Sequence, residues 1–265
     1  MIKRPRRKLL PVNPNMLLDS PKTYRLSWSG YDLEFGRRTC IMGVVNVTPD
    51  SFSDGGKFFT HDTAVAQGQK LAADGADLLD IGGESTRPFS DPVSAEEEIE
   101  RVIPVIEKLA DQLTIPISID TMKAEVARRA IEVGASMIND VSALRYDPAM
   151  GEVVGKFGTP LVLMHMLGSP KTMQESPVYD NLIADITNFL KDAIERAQEQ
   201  GISKSKLIVD PGIGFGKTVS HNLFLIRHLY AFAALGVPIL IGPSRKAFIR
   251  RLLKDEHNDD IAADL

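Results

Sequence analysis

Ile41-Met-Gly-Val-Val-Asn-Val-Thr-Pro-Asp-Ser-Phe-Ser-Asp-Gly-Gly56 decides the fold. The run begins as an apolar strand and places the amide of Asn46 at the strand's end. It then breaks into a loop of Pro, Asp, Ser and Gly, turn formers that suit neither helix nor sheet. Barrel and doubly wound α/β enzymes deliver polar groups to a ligand in this way, from the carboxyl end of a buried strand.

Working outward, the same unit recurs. Short apolar runs at 41–46, 77–81, 116–120, 136–139, 160–164, 206–210 and 238–241 are rich in Val, Ile and Leu, the pattern of strands covered on both faces. Helical patterns separate them. Ser94-Ala-Glu-Glu97 reads as a capping box ahead of Ile99, Val102, Ile103, Ile106 and Leu109, with a kink expected at Pro104. Asp147-Pro148 reads as an N-cap with proline at the first helical position. Leu182, Ile183, Ile186, Leu190, Ala193, Ile194 and Ala197 form an apolar stripe closed by Gly201. Residues 23–36 alternate around Trp28-Ser-Gly-Tyr31, which predicts a β-hairpin with Gly30 in its turn, capping one end of the main repeat.

Seven βα units without a linker or composition shift predict an α/β fold of the (β/α)₈ TIM barrel type in one domain over 23–265, which begins with the N-terminal hairpin. The chain stops at Leu265 before an eighth Val/Ile-rich run, so the eighth unit is expected to be missing or the sheet open. Residues 1–22 carry Lys3, Arg4, Arg6, Arg7 and Lys8 and read as a solvated basic arm.

At 265 residues, 43% hydrophobic and 25% charged, the composition is that of an ordinary globular chain. A net charge of −4 argues against a general nucleic-acid or membrane-surface role. No run approaches the ~18 apolar residues of a membrane span, and prolines and asparagines interrupt the segment after the basic arm, so no secretory signal is expected. The single cysteine, Cys40, cannot form an internal disulfide, consistent with a cytoplasmic protein, and reads as a small buried apolar residue.

Polar residues stand at every strand's carboxyl end: Asn46; Asp80 and Gly82-Gly-Glu-Ser-Thr-Arg87; Asp120; Asn139 and Asp140; His165; Asp210; Ser244-Arg-Lys246. In a barrel these converge on one face. Asp80, Asp140 and Glu84 are read equally well as helix caps or turn residues. For Asp120, Asn139 and Asp210 the site reading is favoured, because grouped acceptors are costly to desolvate without a ligand. Carboxylates, an amide and one lysine suit a flat nitrogen heterocycle with several N–H donors and a carbonyl. Asn46 and Thr86-Arg87 suit a phosphate group with its divalent ion. Pro211-Gly-Ile-Gly-Phe-Gly-Lys-Thr218 ends like a P-loop but has proline where that motif needs glycine, and is rejected as one. Histidines 61, 165, 221, 228 and 257 have no zinc-ligand spacing. His165 is expected beneath the pocket, His221 at a helix start and His228 on a helix face.

These motifs together resemble the bacterial dihydropteroate synthase family across residues 23–265. The matching stretches are Met42 to Gly56, Asp80-Ile-Gly-Gly-Glu-Ser-Thr-Arg-Pro88, Ser118-Ile-Asp-Thr121, Ile138-Asn-Asp140, Leu163-Met-His-Met166, Asp210-Pro-Gly-Ile-Gly214 and Ser244-Arg-Lys246. The resemblance implies a homodimeric TIM-barrel transferase of folate synthesis and a sulfonamide target. Its reaction would condense 6-hydroxymethyl-7,8-dihydropterin diphosphate with p-aminobenzoate, giving 7,8-dihydropteroate and pyrophosphate. It places the pterin on Asp120, Asn139, Asp210 and Lys246, and the pyrophosphate on Thr86 and Arg87, with Mg²⁺ bound through Asn46. Loops carrying Phe52 and Pro88 would close over p-aminobenzoate, with Ser244 on its carboxylate side. The implied mechanism is dissociative, with Asp120, Lys246 and Arg87 as catalytic groups and Lys246 orienting the ring rather than forming a Schiff base.

Two departures stand out. Ala247 replaces the family's usual serine, and the family's final Arg-x-His strand is missing. A non-catalytic pterin- or folate-binding barrel would share the Asp and Asn contacts, but would have little use for the loop from Val47 to Phe58 or for Ser-Arg-Lys. An inactive truncated paralogue is the other alternative.

Overall fold

The computed structural model describes residues 22–48, 57–85, 91–169, 171–174 and 177–257, so nearly all of the expected 1–22 arm lies outside the described residues. Tyr24–Trp28 (β1) and Tyr31–Phe35 (β2) pair antiparallel with Trp28 opposite Tyr31. Ser29 and Gly30 between them have φ of 43° and 84°. Two successive left-handed residues are what a type I′ hairpin turn needs, and glycine adopts this conformation without a Cβ clash.

Six parallel strands follow, each paired with the next in chain order: Met42–Asn46 (β3), Leu78–Gly82 (β4), Ile117–Asp120 (β5), Met137–Asp140 (β6), Leu161–Met164 (β7) and Leu207–Asp210 (β8). Between them run Lys57–Ala73 (α1), Ala95–Gln112 (α2), Ala124–Glu132 (α3), Met150–Phe157 (α4) and Leu182–Glu199 (α5), with Val219–Arg227 (α6) and Ala247–His257 (α7) after β8.

The two-residue period of a strand sorts its side chains into two sets. Leu79, Ile81, Ile119, Ile138, Leu163 and Val209 face the helices in one large core. On the other face, Leu78, Met137, Val162 and Ile208 share a buried cluster with Leu26 and Trp28 of the hairpin. In a flat sheet, β4 and β8 would be roughly 19 Å apart at ~4.8 Å per strand. That both enter this cluster shows that the sheet curves as a barrel wall, with the hairpin plugging its amino-terminal end.

The expected strand 238–241 is reduced to one bridge, Val209 to Ile239. Val209 N–H donates to the Pro238 carbonyl (3.0 Å) and Leu240 N–H to the Val209 carbonyl (2.8 Å). Extending this ladder backwards would need an N–H on Pro238 and extending it forwards would need one on Pro211, and neither has one. Among the described residues, β3 and this segment have no strand partner on their outer edges, so the barrel is not closed there.

Local signals mostly act as read. Ser94 Oγ accepts the Glu97 N–H at 3.2 Å, but the Glu97 carboxylate pairs with Arg101, so only one half of the expected capping box forms; α2 continues as helix through Pro104. Gly201 (φ 83°) follows the C-cap of α5. Asp147-Pro148 behaves differently: α4 starts at Met150 and its N-cap residue, Ala149, makes no side-chain cap bond, while the Asp147 carboxylate serves both α3 and the turn ahead of α4. Its Oδ1 accepts from Ala149 N (3.0 Å), and its Oδ2 accepts from Ala124 N (2.8 Å), the first residue of α3. The N-cap of α3, Lys123, makes no capping bond of its own. Cys40 is half-buried rather than buried, its Sγ 3.7 Å from the Glu34 carbonyl.

The plug role of the hairpin is tested by Trp28→Ala. Removing this buried side chain (5% exposed) is expected to destabilise the fold by about 3 kcal/mol, read as a lower denaturant midpoint at unchanged slope.

Candidate functional site

Going up the barrel interior from the hairpin, apolar side chains give way to polar ones. Strand parity places Asp80, Ser118, Asn139 and Asp210 on the lumen face, and Asn46 and Asp120 at the carboxyl ends. Asp120 stands opposite Asn139 on the neighbouring strand. Asn139 Nδ2 reaches across β5, where small Ser118 leaves room, and donates to Asp80 Oδ2 at 3.0 Å. Its amide is therefore oriented from below. Asp210 Oδ1 accepts the Gly212 N–H at 2.6 Å. Asp120 Oδ1 is buried and has no hydrogen-bond partner among the described residues.

Lys246 enters from beyond the bridged segment. The turn before α7 puts Arg245 at φ 57° and brings the Lys246 ammonium 4.0 Å from the centre of the Phe215 ring, a cation–π stack. The space for its stem is made by Gly214, where a Cβ would lie 2.9 Å from Lys246 Cδ. Methionines 122, 164, 166 and 173 pack with Val141 and Phe215 beside this group, an adaptable apolar wall.

Burial dominates the electrostatics. It raises Asp80 and Asp210 to about 6, against the pull of neighbouring donors. Asp120 is pushed well above the usual carboxylate range by burial first, then by the negative charges of Asp80, Glu98 and Asp140. Lys246 is lowered by burial, opposed by Asp210 and Asp120. The free site thus holds its carboxylates uncomfortably, and a ligand that donates N–H groups would relieve them.

Asp120, Asn139, Asp210 and Lys246 therefore come together as expected. Ser244 is exposed just before the turn to Lys246, and Asn46 is exposed at the end of β3. Phe52, Thr86, Arg87 and Pro88 lie outside the described residues. Among the residues left open, Asp140 points away from the lumen and closes a turn, accepting from Ser142 N (2.8 Å) and Leu144 N (2.7 Å). Glu84 and buried Glu98 both ion-pair with Lys123. His165 packs below the mouth against Phe189, ring centres 4.8 Å apart; His221 completes a capping box with Thr218; His228 is the C-cap of α6 rather than a face residue.

The family model described as "pterin binding enzyme" matches residues 42–264. Dihydropteroate synthase of Synechocystis sp. is 46% identical over 220 residues, covering 83% of this chain and 76% of that protein. The structure of Xanthomonas albilineans dihydropteroate synthase with 4-aminobenzoic acid superposes with a TM-score of 0.81 at 50% identity, covering 88% of this chain and 82% of that one. The Yersinia pestis dihydropteroate synthase with a sulfonamide drug complex gives 0.82 at 46% identity, covering 87% and 83%. The chain belongs to the dihydropteroate synthase family of pterin-binding enzymes.

Membership in that family fits a (β/α)₈ frame with its polar groups at the carboxyl ends. The sequence does not single out two residues at the mouth, Phe215 and Met164, and it leaves Asp80 open as a cap or site residue. Phe215 and Met164 are apolar, and only strand parity and the loop geometry place them at the mouth. A cavity of about 430 Å³ also opens beside the site, lined in part by Met122, Arg145, Met166 and Lys171.

Raised carboxyl pKa values have a stability consequence with a definite sign. Asp210 at about 6, above an ordinary 3.8, means that the folded state holds its proton more tightly than the unfolded chain. Stability is therefore lost as pH rises from about 4 to above 6. Asp210→Asn keeps the acceptor for Gly212 and removes the charge. It is expected to be more stable than the parent at pH 8 by up to about 3 kcal/mol, on the order of 1.4 per pH unit of displacement, with no gain at pH 4, as read by chemical denaturation.

Proposed function

We propose that the barrel mouth binds 6-hydroxymethyl-7,8-dihydropterin diphosphate and p-aminobenzoate and joins them into 7,8-dihydropteroate with release of pyrophosphate. The observation that supports this most directly is the row of buried acceptors on adjacent strands, with Asp120 Oδ1 left without a partner. Asp120, the Asn139 carbonyl and Asp210 would accept the ring N–H groups, while Lys246 donates to a ring acceptor and stacks on Phe215. The methionine wall would cover the ring face.

In this reading the bond from the pterin methylene to the diphosphate oxygen breaks first. The electron pair leaves with pyrophosphate, and the arylamine nitrogen then attacks the methylene and loses a proton. Asp120 would stabilise the cation that develops on the ring system. Thr86 and Arg87 would hold the departing pyrophosphate, and loops bearing Phe52 and Pro88, with Ser244, would enclose p-aminobenzoate.

A divalent ion fits the donor chemistry. Among the described residues no group of three or more His, Cys, Asp or Glu could hold a metal. Mg²⁺ commonly takes only one or two protein oxygens, and completes its shell with water and substrate phosphates. Asn46, exposed where β3 opens onto the mouth, offers one such oxygen. When bound there, the ion would supply charge neutralisation to the diphosphate.

We also propose a cytoplasmic homodimer. Among the described residues no helix is long and apolar enough to cross a membrane. Leu223, Phe224 and Ile226 of α6 with nearby Tyr230 are each at least 40% exposed, an apolar surface suited to a second copy.

Lys246→Ala and Asp120→Asn are each expected to lower turnover by about 100-fold or more, with pyrophosphate release as the assay. Turnover should stop with a Mg²⁺ chelator and return with added Mg²⁺. Wild-type rates in both variants would overturn the residue assignment, and light scattering at the monomer mass would overturn the dimer.

A further inference from the structure

Lys217 is among the most buried charged side chains described, at 3% exposure, and neither the family motifs nor the reaction above uses it. It closes the loop that follows β8. That loop alternates left-handed glycines, with Gly212, Gly214 and Gly216 at φ of 72°, 84° and 63°. Surrounding groups satisfy its backbone in turn. Asn222 Oδ1 accepts from Gly214 N (2.8 Å), Gln174 Nε2 donates to the Gly214 carbonyl (2.8 Å), and Tyr179 Oη donates to the Gly216 carbonyl (2.8 Å). Lys217 completes the set from inside, donating from Nζ to the Phe215 carbonyl at 2.8 Å and to His165 Nδ1 at 3.0 Å. A Cβ on Gly212 would come within 3.3 Å of the same ammonium.

This arrangement links the buried cation to both Asp210 and Lys246. Through the Phe215 backbone it holds the ring on which the Lys246 ammonium rests. Burial raises Asp210, and the Lys217 charge acts against it through space, after the Gly212 N–H and Lys246. We propose that Lys217 is a positioning residue for pterin recognition, fixing the Phe215 platform under Lys246 and setting a cation beside the loop whose Gly212 N–H caps the Asp210 carboxylate. The inference rests on the reading of Asp210 and Lys246 as pterin-binding groups.

The protonation states are consistent with this role. His165 is driven down to about 2 by burial and by the charges of Lys217 and Arg145, so its ring is neutral and accepts. Lys217 itself is lowered to about 7 by burial, with Asp210 raising it and Lys246 lowering it. The charged and titratable groups that face it are His165 after β7, Asp210 at the end of β8, His221 on α6 and Lys246 before α7, with Arg145 acting on His165 and Asp120 on Lys246. Between about pH 6 and 7 the ammonium is present while Asp210 is ionised, and this is the window in which the pair matters.

The test is calorimetric binding of 6-hydroxymethyl-7,8-dihydropterin diphosphate between pH 5 and 9. In the parent protein affinity should fall on the acid side as Asp210 takes up a proton. In Lys217→Met that midpoint should move up by about 1 in pH, the size expected for loss of a nearby opposite charge, while Lys217→Arg should keep the parent midpoint. An unmoved midpoint in the Met variant, or an equal displacement in the Arg variant, overturns the proposal. If Lys217→Met does not fold, carbon NMR titration of the unsubstituted protein decides instead. The Lys217 ζ-side methylene and Asp210 carboxyl resonances should titrate interdependently, and independent curves overturn the proposal. Asp210→Ala and Lys246→Ala run alongside: if they still bind the pterin, it is the site assignment that fails, whatever Lys217 does.

Discussion

Asp80, Asp120 and Asp210 are held in a lumen where burial, more than any neighbour, sets their behaviour. Everything around them answers this constraint. The Asn139 amide reaches across a strand to one of them, a loop N–H caps another, and a stacked lysine approaches from the far side. A soluble core would gain stability by replacing such groups with apolar ones. Their persistence in a dry interior, with acceptor capacity to spare, marks the mouth as built for a donor-rich partner that arrives later. Stability and recognition therefore pull in opposite directions at the same atoms.

Much of this was legible in the sequence because parallel strands covered on both faces announce themselves as apolar runs, and because the residue that ends each run reaches the ligand face. Asn46, Asp120, Asn139 and Asp210 all follow from that rule. The rule fails where backbone chemistry intervenes. The run 238–241 is apolar, yet prolines 211 and 238 deprive the ladder of donors on both sides, so it remains a single bridge. It also fails for side chains that arrive from a distance. Lys217 sits seven residues past its strand, and no periodicity places its ammonium beneath Phe215. Asp80 and Asp140, both left open as cap or site, separate only through parity, one into the lumen and one into a turn.

The approach to the site is braced in a similarly non-local way. Lys123, just past β5, ion-pairs with Glu84 after β4 and with fully buried Glu98 on α2. Arg101 on the same helix donates to the Gly83 carbonyl at 2.7 Å. The chain leaving β4 is thus tied to a helix before it reaches Ser85. Surface ion pairs contribute little, but removing one member of a buried set strands a charge, so this cluster fixes where the following segment begins.

The shared carboxylate of Asp147 has a consequence for how the chain assembles. Helix α3 has no cap from its own flank; the acceptor for its first N–H stands 23 residues downstream, across β6. The third and fourth βα repeats are therefore not separable modules, although each looks like a complete unit in the sequence. A fragment ending between Ala124 and Asp147 would start a helix with that donor unanswered, and the helix would fray from its amino end. In a fold assembled from repeats, one shared side chain makes two neighbours fold as a single cooperative block.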